Sequence, residues 1–100
     1  MRITSTEFDS VLKRGKTYVS PSFSLSFSKS LALQLAIVVS KKVSKKAVVR
    51  NKNRRRVRHA IKKLEKELST GAFIIFLRKD LSRATFSDIE KEIRDLLLKV

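Results

Sequence analysis

KKVSKKAVVRNKNRRRVRHAIKKLEK, Lys41 to Lys66, is the stretch on which the reading of the whole chain turns. Its 26 residues hold 13 of the 24 lysines and arginines and a single acid, Glu65, and so supply +12 of the formal +15. The rest of the chain is close to balance, with 11 bases against 8 acids. Charge concentrated in this way repels itself unless a polyanion neutralises it, and nucleic acid is the commonest such partner. Within the stretch, and just past it, Val57, Ala60, Ile61, Leu64 and Leu68 recur at helical spacing and form one apolar stripe, suited to packing on a sheet. At 100° per residue, Asn51, Arg54, Arg55, Arg58 and Lys62 gather on one flank of that stripe. Lys52, Arg56, Lys63, Lys66 and His59 gather on the other. Asn53 falls on the apolar side and breaks the pattern. The helix is predicted to start anywhere from Ser44 to Asn51.

The segments on either side decide the fold class. LALQLAIVV, Leu31 to Val39, is an almost unbroken apolar, partly β-branched run, as expected of a central strand covered on both faces. AFIIFLRK, Ala72 to Lys79, reads as another buried strand after the stop signal Ser69-Thr70-Gly71. A helix between two such strands predicts parallel neighbours in one sheet. Earlier in the chain, Phe23, Leu25 and Phe27 alternate with Ser22, Ser24, Ser26 and Ser28, the period of a strand with one polar face, for which solvent is the default environment. Pro21 cannot donate to a ladder and is expected to separate this strand from Tyr18-Val19. Near the start, Thr4 and Glu7 have capping-box spacing, Phe8, Val11 and Leu12 share a helical face, and Gly15 is the expected stop. At the other end, Ser87 and Glu90 have the same capping spacing, and Ile89, Ile93, Leu96, Leu97 and Val100 form the stripe of a closing helix whose other face mixes charges. The expected order is α-β-β-β-α-β-α, an α/β (α+β sandwich) fold with a four-stranded mixed sheet and three helices in one domain over residues 1–100.

Composition removes several functions. There is no cysteine and one histidine, so thiolate metal sites, disulfides and a His-based nucleophilic site find no support. The two glycines, Gly15 and Gly71, make no phosphate-binding loop. The carboxylates at Glu7, Asp9, Asp80 and in the two amphipathic helices form no cluster of the kind that two-metal nucleases need. No apolar run approaches the roughly 18 residues that span a bilayer, and MRITSTEFDS has no signal-peptide core. The expectation is a soluble, cytoplasmic, basic domain without catalytic residues of its own. A membrane-surface role would need a large apolar face that the basic stretch lacks. His59, set among bases, reads as a phosphate or solvent contact, and Phe8 as core. Arginine outnumbers lysine in NKNRRRVR, and planar guanidinium groups make bidentate phosphate contacts and stack on bases. Nucleic-acid binding by Arg54, Arg55 and Arg58 is therefore the leading reading; the choice between RNA and DNA stays open on these grounds.

IVVSKKVSKKAVVRNKNRRRVRHAIKKL also resembles the signature region of the bacterial ribonuclease P protein: a strand ending in S-K-K, a short link, then A-V-x-R-N-x-x-K-R-x-x-R on a helix. The match runs through Ser40, Lys41, Lys42, Ala47, Val48, Arg50, Asn51, Arg54, Arg55 and Arg58. It extends to Phe8 with Gly15, the Phe23 strand, the strand after the basic helix and the closing helix. The resemblance implies a left-handed crossover between the two parallel strands, against the usual hand. It further implies a protein that binds a catalytic RNA and the 5′ leader of precursor tRNA, with Mg²⁺ ions held by the RNA performing the hydrolysis. No metal or other cofactor is then bound by the protein alone, and no obligate protein partner is expected. On that basis Lys41, Lys42, Arg50, Asn51, Arg54, Arg55, Arg58 and Lys62 are the RNA-binding candidates. Phe8 and Phe23 are candidates for a leader cleft between the first helix and the sheet, where aromatic faces stack on bases. Four features depart from the family pattern: a link one residue longer with Ser44 for Gly, Asn53 for an aliphatic residue, Ser26 for an aromatic and Leu12 for another. The rival readings are a ribosomal or other structural RNA-binding protein, whose long basic tails this chain lacks, and a DNA-reading helix presenting Asn51 and Asn53.

Overall fold

The computed structural model describes residues 11, 13, 15–29, 33–64 and 70–100. Four strands and two helices have described bounds: β1 (Lys16–Val19), β2 (Phe23–Ser28), β3 (Leu33–Val38), α1 (Ala47–Leu64), β4 (Gly71–Leu77) and α2 (Phe86–Leu97). Most of the expected first helix, with Thr4, Glu7, Phe8 and Leu12, lies outside the described residues, as does Leu68 of the central stripe. Val11 and Lys13 are helical, and the Gly15 N–H donates to the Val11 carbonyl at 2.8 Å. Gly15 is needed there for space. A Cβ would come within 2.4 Å of the Val11 carbonyl oxygen and 2.5 Å of that of Phe27.

The sheet runs β1-β2-β4-β3. β1 and β4 are antiparallel to β2, and β3 is parallel to β4 with Leu35 opposite Phe73 and Ile37 opposite Ile75. The Pro21 region divides β1 from β2 as expected, and the parallel pair flanking the basic helix is present. The lateral position of Leu31–Val39 is corrected. β3 is an edge strand and all six of its residues are half-buried, while the central apolar strand is β4. An unbroken apolar run reports that both faces of a strand meet other groups, and it carries no information on which edges are paired.

The alternation of β2 sorts the sheet into two layers. Phe23, Leu25, Phe73, Ile75 and Leu77 face Val57, Ala60, Ile61 and Leu64 of α1 and Ile89, Ile93 and Leu96 of α2, forming the main core. Phe27 and Phe73 add a tilted ring contact at 4.9 Å. On the opposite face, Ala72 and Ile74 form a smaller core with Val11, flanked by Ala36, Val38 and Phe76. The β2 serines belong to this second face, and Ser26 is buried rather than solvent-facing, 3.4 Å from the Thr17 hydroxyl. Alternation located the polar face correctly, but Ser26, between Thr17 and Ile74 in the ladder, is enclosed there.

The closing helix is capped two residues earlier than the Ser87–Glu90 pair suggests. Thr85 is the N-cap, and its hydroxyl accepts the Asp88 N–H at 3.1 Å. Glu92 of α2 then reaches the β1–β2 turn: its carboxylate accepts the Ser22 N–H at 2.8 Å and the Ser20 hydroxyl. The Arg78 guanidinium donates to the Ser20 carbonyl at 2.6 Å from the other side. The turn after Pro21 is thereby tied to both β4 and α2.

Candidate nucleic-acid interface

α1 exposes its charge because its apolar stripe is fully consumed by the main core. Val57, Ala60, Ile61 and Leu64 are buried, leaving Asn51, Arg55, Arg58 and Lys62 in solvent and Arg54 half-exposed. Val48, Asn51, Arg54, Arg55 and Arg58 line one open depression along this flank, with no carboxylate among them. The Arg54 guanidinium donates to the Asn51 side-chain oxygen at 2.8 Å. That i,i+3 bond fixes an otherwise free arginine head and leaves its remaining donors available. Val48, 77% exposed, was not among the RNA-binding candidates of the sequence. Its place in A-V-x-R-N was visible, but its exposure depends on how the helix rolls on the sheet.

The approach to this helix is now defined. Helical bonding begins with the Arg50 N–H to the Lys46 carbonyl at 3.1 Å. Ser44 accepts the Lys46 N–H through its hydroxyl at 3.2 Å. Arg50 folds back over the link, its Nη1 donating to the carbonyls of Ser44 at 3.1 Å and Lys45 at 3.0 Å. One of its nitrogens is thus spent on holding the longer link. Lys41 and Lys42 lie exposed in the turn before the link, closed by the Val43 N–H to the Ser40 carbonyl at 3.0 Å.

Asn53, the apparent defect in the apolar stripe, is wholly buried and fully used. Its amide nitrogen donates to the Val49 carbonyl at 2.9 Å and to Asp80 Oδ1 at 2.8 Å, and its oxygen accepts the Leu81 N–H at 2.6 Å. The same Asp80 oxygen accepts the Ser82 N–H at 2.9 Å and hydroxyl at 2.6 Å. These bonds from Ser82 and Asn53 hold the Asp80 carboxyl below its ordinary 3.8, with Lys52 adding a smaller attraction and partial desolvation opposing. Asn53 therefore locks the β4–α2 connection onto α1, and no helical-angle argument could have shown a partner 27 residues away.

The other flank of α1 is only partly solvent. Arg56 Nη2 donates to the Ala84 carbonyl, and its guanidinium lies 4.6 Å from the centroid of the Phe86 ring. His59 meets the same ring at 4.9 Å. Of the two leader-cleft candidates, Phe8 lies outside the described residues. Phe23 is fully buried in the main core, on the sheet face opposite Val11. Its alternation with serine placed it correctly in a strand but could not say which helix it meets. Among the described residues no group of three or more His, Asp or Glu side chains could hold a metal ion, and no helix is long and apolar enough to cross a membrane.

Fold and surface together define a small α+β protein that presents an arginine-lined helix to a polyanion. The family model for ribonuclease P matches residues 3–100. The structure is similar to the RNase P protein from Thermotoga maritima, with a TM-score of 0.88 and 27% identity over 100% of this chain and 97% of that one. It is also similar to the T. maritima protein in complex with 1-(4-fluorophenyl)-2-thiourea, with 28% identity, a TM-score of 0.83 and 94% of each chain covered. A Staphylococcus aureus RNase P protein mutant with defective mRNA degradation activity shares the fold, at TM-score 0.86 and 24% identity over 98% of this chain and 86% of that one. A comparison with curated proteins gives no match. The chain belongs to the ribonuclease P family, as a protein subunit of the bacterial type that binds RNA and serves tRNA processing.

Proposed function

We propose that this chain is the non-catalytic subunit of the ribonucleoprotein endoribonuclease, binding the ribonuclease P RNA through α1 and helping it remove the 5′ leader of precursor tRNA. The observation that carries this reading is the acid-free depression lined by Asn51, Arg54, Arg55 and Arg58. A row of arginines on one rigid helix neutralises successive phosphates without demanding a base sequence. Lys62 continues the row one turn on, and Lys41, Lys42 and Arg50 extend it across the link. Phosphodiester hydrolysis is assigned to the RNA and its Mg²⁺ ions. The protein's part is to lower the repulsion between RNA segments that would otherwise need more Mg²⁺ to approach each other. The leader is assigned to the sheet face on which Val11 packs, with Phe8 as its aromatic contact and Phe23 excluded by its burial. The family resemblance also supports an N-terminal third helix, a left-handed β3–α1–β4 crossover, a single unit over residues 1–100, a cytoplasmic setting and no obligate protein partner.

The test is reconstitution. The purified chain alone leaves precursor tRNA intact, and added to a bacterial ribonuclease P RNA at low Mg²⁺ it restores cleavage. Folded protein that gives no stimulation overturns the proposal. Arg54→Ala and Arg58→Ala each weaken binding to the RNA and reduce the slope of log affinity against log salt by about 1.

A further inference from the structure

The second flank of α1 carries an aromatic group that the arginine row does not use. Phe86, the first residue of α2, is 41% exposed. A single exposed phenylalanine is ordinary, but this one is held in place. The Arg56 guanidinium lies over its ring at 4.6 Å and is itself anchored on the Ala84 carbonyl. The His59 ring closes on it at 4.9 Å, inclined by 59°. Lys52, Arg55, Arg56, His59 and Phe86 line an open depression, again without an acid. Arg55 also lines the depression on the first flank, so the two adjoin at its side chain.

The combination selects a kind of ligand. Cations alone take any phosphate backbone, duplex or single-stranded. An exposed aromatic ring adds something only for a base whose face is free, and in a duplex those faces are stacked on one another. A ring already held by an arginine and a tilted histidine, and still 41% exposed, loses little freedom when a base settles against it, so the platform is preorganised.

We propose that Phe86 and His59 form a stacking site for one unpaired base of a bound RNA, with Arg56 fixing the ring and Lys52 and Arg55 holding the adjoining phosphates. This deepens the RNA-binding reading and rests on it.

The chain has no tryptophan and one tyrosine, Tyr18, so Phe86→Trp places the sole tryptophan at the site, where it can be excited selectively at the red edge of its absorption. An unstructured pyrimidine-rich oligoribonucleotide should quench its emission saturably, and a blunt RNA duplex of equal length should bind without that quenching. Phe86→Leu, which keeps an apolar residue at the start of α2, should weaken single-strand binding by about 5–150-fold, the usual span for losing one base–aromatic stack. Its duplex affinity should stay within about two-fold of wild type, whereas Arg54→Ala should weaken both RNAs because it removes a phosphate contact. Single-strand affinity unchanged by Phe86→Leu, or unquenched Phe86→Trp emission with RNA bound, overturns the stacking site and leaves the arginine row standing. Wild-type protein that binds neither RNA overturns the RNA-binding reading itself.

Discussion

Replacing Asn53 tests whether one buried amide holds the β4–α2 connection against the basic helix. In Asn53→Ala the Leu81 N–H loses its acceptor at 2.6 Å at a position where Leu81 is 3% exposed and Asn53 wholly buried. An orphaned buried donor costs about 1–3 kcal/mol. The lost bond to the Val49 carbonyl and the void left by the amide bring the expected loss to about 2–4 kcal/mol. For a chain of this size that corresponds to a Tm lowered by roughly 8–30 °C. Urea unfolding followed by circular dichroism at 222 nm gives the energy directly. Asn53→Leu, which fills the space but offers no acceptor, should remain clearly destabilised even though an aliphatic residue suits the stripe. Asn53→Asp supplies the sign. It keeps an acceptor for Leu81 but sets a second carboxylate against Asp80, which raises the proton affinity of the pair in the folded state. Its stability should therefore fall as pH rises through the carboxylate range, and Asp80→Asn in the same chain should remove that fall. An Asn53→Ala protein within about 0.5 kcal/mol of wild type, a difference typical of uninvolved surface sites, would refute the reasoning.

Asp80 also makes a prediction in the unaltered chain. Its carboxyl lies below 3.8 when folded, so its contribution is complete above the ordinary value and disappears as pH falls through the lower folded one. The urea midpoint of wild type should drop toward that of Asp80→Asn below about pH 3.8, by a modest amount because Asp80 is exposed and screened. Gly71→Ala should destabilise for two reasons together. Gly71 has φ +154°, and a Cβ would sit 2.3 Å from the Phe27 ring. Thermal melting should show the loss, and Phe27→Ala in the same protein should relieve only its steric part, since the backbone conformation is unchanged.

Two kinds of information were present in the sequence to different degrees. Local periodicity was sufficient for β2, β4, α1 and the division at Pro21, because alternation and the 3.6-residue stripe depend on which side of an element is dry. It was insufficient for the N-cap of α2, where Thr85 outcompetes Ser87. Both residues have an acid three positions on, and the choice rests on where the chain leaves the Leu81–Ala84 turn. The arginine row was legible for the same reason as the helix: residues excluded from the apolar stripe must lie on its flanks. Lateral and long-range relations were not legible. The edge position of β3, the burial of Ser26 and the direction of Phe23 toward α1 and α2 all follow from how whole elements stack.

The Lys41–Lys66 stretch by itself determined that this protein carries a helix with one dry seam and two basic flanks, and that its partner is a polyanion. Charge and periodicity are properties of neighbouring residues, and they survive any arrangement of the remainder. Only the tertiary structure decided what the flanks become. It turned Asn53 from a break in the seam into a latch on Leu81, and it brought Phe86 to Arg56 and His59. Each of these depends on a group distant in sequence, or on the roll of α1 against the sheet, and packing free energy alone sets that roll.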